Sequence, residues 1–251
     1  MLDQTFTTPL PLALEVGIPS GDIEIETVEG EESHVIIDGD ERLLSEVEVN
    51  QDGNRITVSY RGKAKFGFSL APFTLVWDNS LKVRARVPHG ADLKVKTASA
   101  DVKVDGRLGA LALNGVSGDI RVRGEVSGDA TLKTVSGDAQ LDAVGGDLTI
   151  QSVSGDLRSG PVEGSVEAKT VSGDIRLDAI REGDMRFTSV SGDVEIGIAT
   201  GSLLDVDAGS TSGDLSSEVP LASEPGGNGN GGPKVVVRGK TVSGDVRIFR
   251  S

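Results

Sequence analysis

The sequence predicts an all-β fold, a single-chain β-solenoid. Three observations carry this: a motif at a nearly fixed period, a two-residue alternation between its copies, and a composition rich in Gly and poor in aromatics. The motif is Thr134-Val135-Ser136-Gly137-Asp138. It returns at 152–156, 170–174, 189–193, 210–214 and 241–245, with earlier copies at 97–101 and 115–119. The closing aspartates are separated by 18, 19, 18, 18, 19, 21 and 31 residues. A weaker turn sits midway, ending at Asp129, Asp147 and Asp184, with Ser165 in the equivalent place. Each coil of about 18 residues is therefore two half-coils of about nine, each a corner and a short strand.

The strands follow from alternation. One residue after each aspartate the side chain is apolar (Ile120, Ala139, Leu157, Ile175, Val194). The next is polar (Arg121, Gln140, Arg176, Glu195) and the third is mostly apolar (Val122, Leu141, Leu177, Ile196). One face turns in and the other out. The valines preceding Ser-Gly-Asp (Val116, Val135, Val153, Val171, Val190, Val242) are expected to point inward as well. No nine-residue strand buries its face alone; coils stacked about 4.8 Å apart do so jointly, and about seven of them give a length of roughly 35 Å.

The corners fall to Ser117, Gly118, Asp119, Ser136, Gly137, Asp138, Ser154, Gly155, Asp156, Ser172, Gly173, Asp174, Ser191, Gly192 and Asp193. Glycine takes a positive φ without a Cβ clash, and aspartate hydrogen-bonds nearby backbone N–H groups.

Residues 1–90 read as an irregular β lead-in and N-terminal cap, and 91–251 as the regular solenoid with a flexible Gly/Pro/Asn insertion at 216–233. Strands are expected at 12–18, 22–28, 34–38, 47–50, 55–60 and 81–87, with Ser20-Gly21-Asp22 an early corner. The stretch containing Phe66, Phe68, Phe73 and Trp77 reads as a cap sealing the N-terminal end, with an exposed partner patch as the sharper alternative. Residues 234–249 supply the final coil, whose open edge would be a template for end-to-end pairing.

Net charge is −14 and uneven: residues 1–50 hold 13 Asp/Glu and one Arg, whereas 51–100 hold nine Lys/Arg and three Asp/Glu. The two stretches are expected to pack together. An acidic chain argues against nucleic acid as partner. Cysteine is absent, so no disulfide or Cys-based metal site is expected. No apolar run reaches membrane-span length and no signal-peptide pattern opens the sequence, which makes the cytoplasm the default location.

The repeated residues bear on three chemistries. The Gly-Asp period is like that of calcium-binding β-rolls, but those need Gly-Gly-x-Gly-x-Asp to free carbonyls for the ion, and here each turn has one Gly followed at once by Asp. The Thr/Ser-x-Ser pairs (97/99, 134/136, 152/154, 170/172, 189/191, 210/212, 241/243) would form two hydroxyl rows along one edge, suited to a polysaccharide, or would serve the corners by local bonding. Catalysis is disfavoured, because the carboxylates occupy repeated, equivalent settings rather than an unlike pair, and no Gly-x-Ser-x-Gly elbow is present.

The repeats, together with Leu14-Glu-Val-Gly-Ile-Pro-Ser-Gly-Asp-Ile-Glu-Ile25 and Val83-Arg-Ala-Arg-Val-Pro-His-Gly-Ala-Asp-Leu93, resemble a bacterial β-strand-repeat family of unknown function labelled "putative adhesin". The resemblance spans nearly the whole chain. It implies a single-chain β-solenoid of bacterial origin, with no cofactor and no catalytic residues to carry over. Bactofilins, which polymerise, share only the architecture. The expected function is a non-catalytic scaffold or adhesin-like interaction module for a protein or cell-surface polymer. The alternatives are a bactofilin-like filament growing through the C-terminal coil, and a carbohydrate- or cation-binding module using the Ser/Thr–Asp edge.

Overall fold

A computed structural model describes residues 1–62, 80–219 and 232–251. Its elements are β1 (Leu2–Thr7), β2 (Ala13–Val28), β3 (Glu32–Asp38), the one-turn helix α1 (Glu41–Leu44), β4 (Val47–Asp52), β5 (Arg55–Tyr60), β6 (Leu81–Pro88) and β7 (Ala91–Asn114). There follow β8 (Ile120–Val126), β9 (Ala130–Lys133), β10 (Ala139–Val144), β11 (Leu148–Gln151), β12 (Leu157–Val162), β13 (Val166–Lys169) and β14 (Ile175–Ile180). The last are β15 (Gly183–Ser191), β16 (Val194–Ile198), β17 (Leu203–Ser212), β18 (Leu215–Ser217), β19 (Lys234–Ser243) and β20 (Val246–Arg250). The expected all-β solenoid is what forms.

From β7 onward every pairing is parallel and joins half-coils one turn apart. The first sheet runs β7–β9–β11–β13–β15 and the second β7–β8–β10–β12–β14–β16. Equivalent residues lie in register, so Ile120, Ala139, Leu157, Ile175 and Val194 stack in one buried column. Large and small residues compensate along a column. Phe187 has Ala168 beneath it and Gly239 above it, where an added Cβ would lie 2.3 Å from the ring. That glycine is the space the phenyl group occupies.

The lead-in is more regular than its spacing implies. The two strands expected at 12–18 and 22–28 are one element, β2, a full coil bent at Gly21 (φ 130°), with Asp22 opposite Asp101. β5 and β6 lie parallel on β2, and then the chain direction reverses: β4 on β5, β3 on β6 and β1 on β3 are antiparallel. A two-residue hairpin, Gly53-Asn54, with φ 58° at the glycine, permits the reversal between β4 and β5. The acidic and basic stretches do meet. Six ion pairs join 1–50 to 51–100, among them Arg55–Glu15, Lys82–Glu24 and Arg86–Glu26. All are at least partly exposed, so each is worth under about 1 kcal/mol; their effect is to fix register more than to stabilise.

At the other end the structure departs from chain order. β19 lies between β15 and β17, and β20 lies between β16 and β18. The coil of residues 234–250 is thus the penultimate one, inserted between coils that precede it in sequence, and both its edges are used. This corrects the expectation that 242–249 offers an open end for filament growth. The outermost coil is β17–β18. It suits that place because it is the least apolar copy: Leu215 is exposed, and Ser217 replaces the inward aliphatic side chain of the third position. The strand Leu215–Ser217 also takes residues expected in the insertion; 220–231 lie outside the described residues.

Candidate functional site

The corner between the two sheets repeats the same geometry at each coil. Thr134 continues the inward alternation after Leu132, and its hydroxyl donates to the Ser136 carbonyl at 3.0 Å. Ser152, Thr170 and Thr241 do the same at 3.0, 3.2 and 3.1 Å. Gly137 (φ 109°) presses its Cα on the coil below; an added Cβ would sit 2.2 Å from the Gly118 carbonyl oxygen. Each Asp then accepts, through Oδ1, the backbone N–H of the Asp on the next coil. The chain of bonds runs 101–119–138–156–174–193–245–214, at 2.8–3.1 Å. Its order, 193 to 245 to 214, repeats the insertion of the C-terminal coil. A partial second row runs from Asp129 through Asp147 to Ser165 on the opposite edge. The aspartates thus cross-link successive coils, where the sequence predicts bonds to backbone N–H groups nearby in the turn.

One expectation about this edge fails, and of the two readings of its hydroxyl pairs the local-bonding one is what forms. The valines before Ser-Gly-Asp point outward: Val116, Val135, Val153, Val171, Val190 and Val242 are 45–52% exposed. The reason is parity. Leu132 and Thr134 both face in, so Val135 must face out, and the turn is completed by Ser-Gly rather than by the strand alternation. For the same reason the hydroxyl rows are not both on the surface. Thr134, Ser152, Thr170, Ser189 and Thr241 are buried, and the Thr97 and Ser189 hydroxyls have no hydrogen-bond partner.

What the edge presents instead is a strip of three rows. Two residues before each valine, on the first sheet, stand Lys96, Asn114, Lys133, Gln151, Lys169, Thr188 and Lys240, so lysine occupies every second rung. The valine ridge runs down the middle, ending at Ala98 on one side and Thr211 on the other. Three residues after the valines, on the side of the second sheet, runs the aspartate row. Lysines spaced about 9.6 Å apart rather than 4.8 Å have about half the mutual repulsion.

The outward face of the second sheet holds a shallow groove of about 690 Å³ over β10, β12 and β14, lined by Arg158 and Arg176 with Asp142 and Asp178. Arg176 bonds Asp178 at 3.2 Å, pairs with Glu195, and lies 5.7 Å over the Phe249 ring. On the first sheet, the hydrogen bond from Lys169 and its positive charge hold the Glu167 carboxyl below the ordinary glutamate range. His34 bonds Asp3 at 2.6 Å and His89 bonds the Thr27 hydroxyl at 2.7 Å, so each histidine has its own separate partner. Among the described residues no three His, Cys, Asp or Glu side chains are grouped to hold a metal, and no helix is long and apolar enough to cross a membrane. The expected partner patch, Phe66, Phe68, Phe73 and Trp77, lies outside the described residues.

The sequence profile of the Toastrack DUF4097 family matches residues 12–249. The chain belongs to the Toastrack family. The resemblance carried by 14–25, 83–93 and the repeats is thereby confirmed. No curated protein matches this Toastrack chain. Among solved structures it is similar to one described as a "putative adhesin" from Parabacteroides distasonis ATCC 8503, at 15% identity and TM-score 0.59, covering 98% of this chain and 96% of that one. It is also similar to a "putative adhesin" from Bacteroides fragilis NCTC 9343, at 15% identity, and a "putative lipid binding protein" from Parabacteroides distasonis ATCC 8503, at 14% identity. Both have a TM-score of 0.50 and cover 98% of this chain and 96% of the other. At these identities the likeness is one of Toastrack fold.

Proposed function

We propose that this Toastrack protein is a non-catalytic, adhesin-like interaction module that engages its partner along the Lys–Val–Asp edge. One observation carries the reading: six half-exposed valines in consecutive rungs, at a position where the outermost coil carries Thr211 and a polar residue is therefore accommodated. Scattered exposed apolar residues are ordinary on any protein; a straight row of one residue type, repeated at each coil, is a contact surface. The adhesin descriptions of the structural neighbours agree with the reading. The partner is a protein or an extended cell-surface polymer, since a ridge about 24 Å long and one residue wide matches a long object better than a small molecule.

Binding through the Ser/Thr–Asp edge alone has less support. One hydroxyl in six of the seven pairs is buried, the exception being Ser210 and Ser212 on the outermost coil, and one carboxylate oxygen of nearly every Asp is engaged by the neighbouring coil. The test is adherence of protein-coated beads to bacterial cells and to purified cell-surface polymers, with wild type compared with the triple variant Val135→Thr, Val153→Thr, Val171→Thr. A loss of adherence of about tenfold or more is expected, with three half-buried aliphatic contacts removed at once. Equal adherence would place the contact elsewhere on the molecule.

A further inference from the structure

We infer that the partner of the Lys–Val–Asp edge is a second copy of the same chain, docked ridge to ridge in parallel about a two-fold axis along the solenoid; this rests on the edge being the contact surface. The argument is one of symmetry and charge. Two identical ridges meet face to face under only two kinds of two-fold rotation. An axis across the ridges makes them antiparallel and sets lysine row against lysine row and aspartate row against aspartate row. An axis parallel to the solenoid makes them parallel and sets each lysine row against the other copy's aspartate row. Lys133, Lys169 and Lys240 lie on the first-sheet side of the valines, with Asp138, Asp174 and Asp245 on the other. Only the parallel arrangement brings opposite charges together at every second rung. It also puts equivalent rungs at the same height, so each valine meets its own copy without any mismatch of period.

The size of the strip sets the affinity. Five rung spacings make it about 24 Å long, and the five residue steps from lysine to aspartate make it at most about 16 Å wide. That is roughly 400 Å² per copy, half of a standard interface of about 800 Å² per partner. The net charge of −14 opposes association as well, although salt screens it beyond about 8 Å at physiological ionic strength. The dimer is therefore weak, with a dissociation constant on the order of 100 µM. Homophilic pairing of that strength becomes effective where many copies are displayed together.

The experiment uses the full chain, which has no cysteine of its own. Sedimentation from about 10 µM to 1 mM is expected to show a monomer–dimer equilibrium, weakened at least tenfold in the triple Val→Thr variant. Circular dichroism melts are expected to show that variant still folded. Orientation is read from single-cysteine variants under mild oxidation. Val116→Cys and Val242→Cys are each expected to cross-link to themselves. If instead Val116→Cys links only to Val242→Cys in a mixture, the pairing is antiparallel and the inference is overturned. A wild type that stays monomeric at 1 mM, with neither single-cysteine variant cross-linking to itself, also overturns it. If the triple variant loses bead adherence in that case, the edge remains the contact surface and only the identity of the partner falls.

Discussion

The coils of β8–β16 and those of β17–β20 are built from the same motif, yet they stack by different rules. In the first region each coil lies on the one before it in sequence. In the second, the coil of β19–β20 slips between two earlier ones. Both regions use the same Asp-to-N–H bonds and the same glycine-on-carbonyl contact. The difference teaches that the motif specifies how one coil sits on another and does not specify which. Neighbour choice is made by the side chains: the penultimate coil brings Val235, Val237, Val246 and Ile248, all fully buried, whereas at the matching positions the outer coil brings Leu204, half-buried Val206, exposed Leu215 and the polar Ser217. The better core former goes inside, and the poorer one becomes the cap.

The largest expected effect probes the seam between the two regions. Phe187→Ala empties the space between Ala168 and Gly239 and should cost about 3–5 kcal/mol in denaturant unfolding, because small neighbours on both sides cannot refill it. A loss under about 1 kcal/mol would mean that β19 settles onto β15 without needing the ring. Next is Gly137→Ala in the regular region, which combines a positive φ with a Cβ 2.2 Å from the Gly118 oxygen. It is expected to cost upward of about 3 kcal/mol by thermal melt, and a tolerated alanine would refute the close stacking of corners.

A smaller contrast sharpens the comparison further. Asp156→Ala removes the acceptor for the Asp174 N–H and should cost about 1 kcal/mol. Asp214→Ala, on the outermost coil, removes a side chain that accepts no inter-coil bond among the described residues. It should change stability by under about 0.5 kcal/mol. Equal costs at the two positions would put another coil beyond β18. The smallest effect concerns Glu167. Its carboxyl, hydrogen-bonded by Lys169, should titrate below ordinary glutamate in side-chain NMR, and Lys169→Met should return it to the usual range. Its folded value is depressed, so the pair's contribution is present above the ordinary glutamate range and is lost as pH falls through the folded value. The group is exposed, so the readout is the titration rather than the melt.

Much of this was legible in the residues. The aspartate spacing and the alternation around it specify two sheets, the half-coil and the corner chemistry, because a two-residue period and a Gly-Asp turn each leave one physical solution. Val135 faces out rather than in because parity runs along the strand from Leu132 and is not carried across the Ser-Gly-Asp corner. The buried Thr134 was the available signal: its hydroxyl finds a local carbonyl and so tolerates the inside. The inserted coil was hidden for a deeper reason, since identical corners make all neighbours equivalent in sequence. Its traces were Thr211 at the valine position, Ser217 at an apolar one, and a spacing of 31 residues before Asp245, long enough to reach back past a coil. The surface strip has no sequence signal until the outward direction of the valines is known.

The most direct test of the coil order uses two cysteine pairs in this cysteine-free chain. Val190 and Val242 lie on adjacent rungs, about 4.8 Å apart, whereas Val190 and Thr211 lie two rungs apart, about 9.6 Å. Disulfides close only between Cα atoms about 4.4–6.8 Å apart. Val190→Cys with Val242→Cys should therefore oxidise readily to an intramolecular bond, and Val190→Cys with Thr211→Cys should stay reduced. Closure of the second pair and not the first would mean that the coils stack in sequence order, and the inserted C-terminal coil would be wrong.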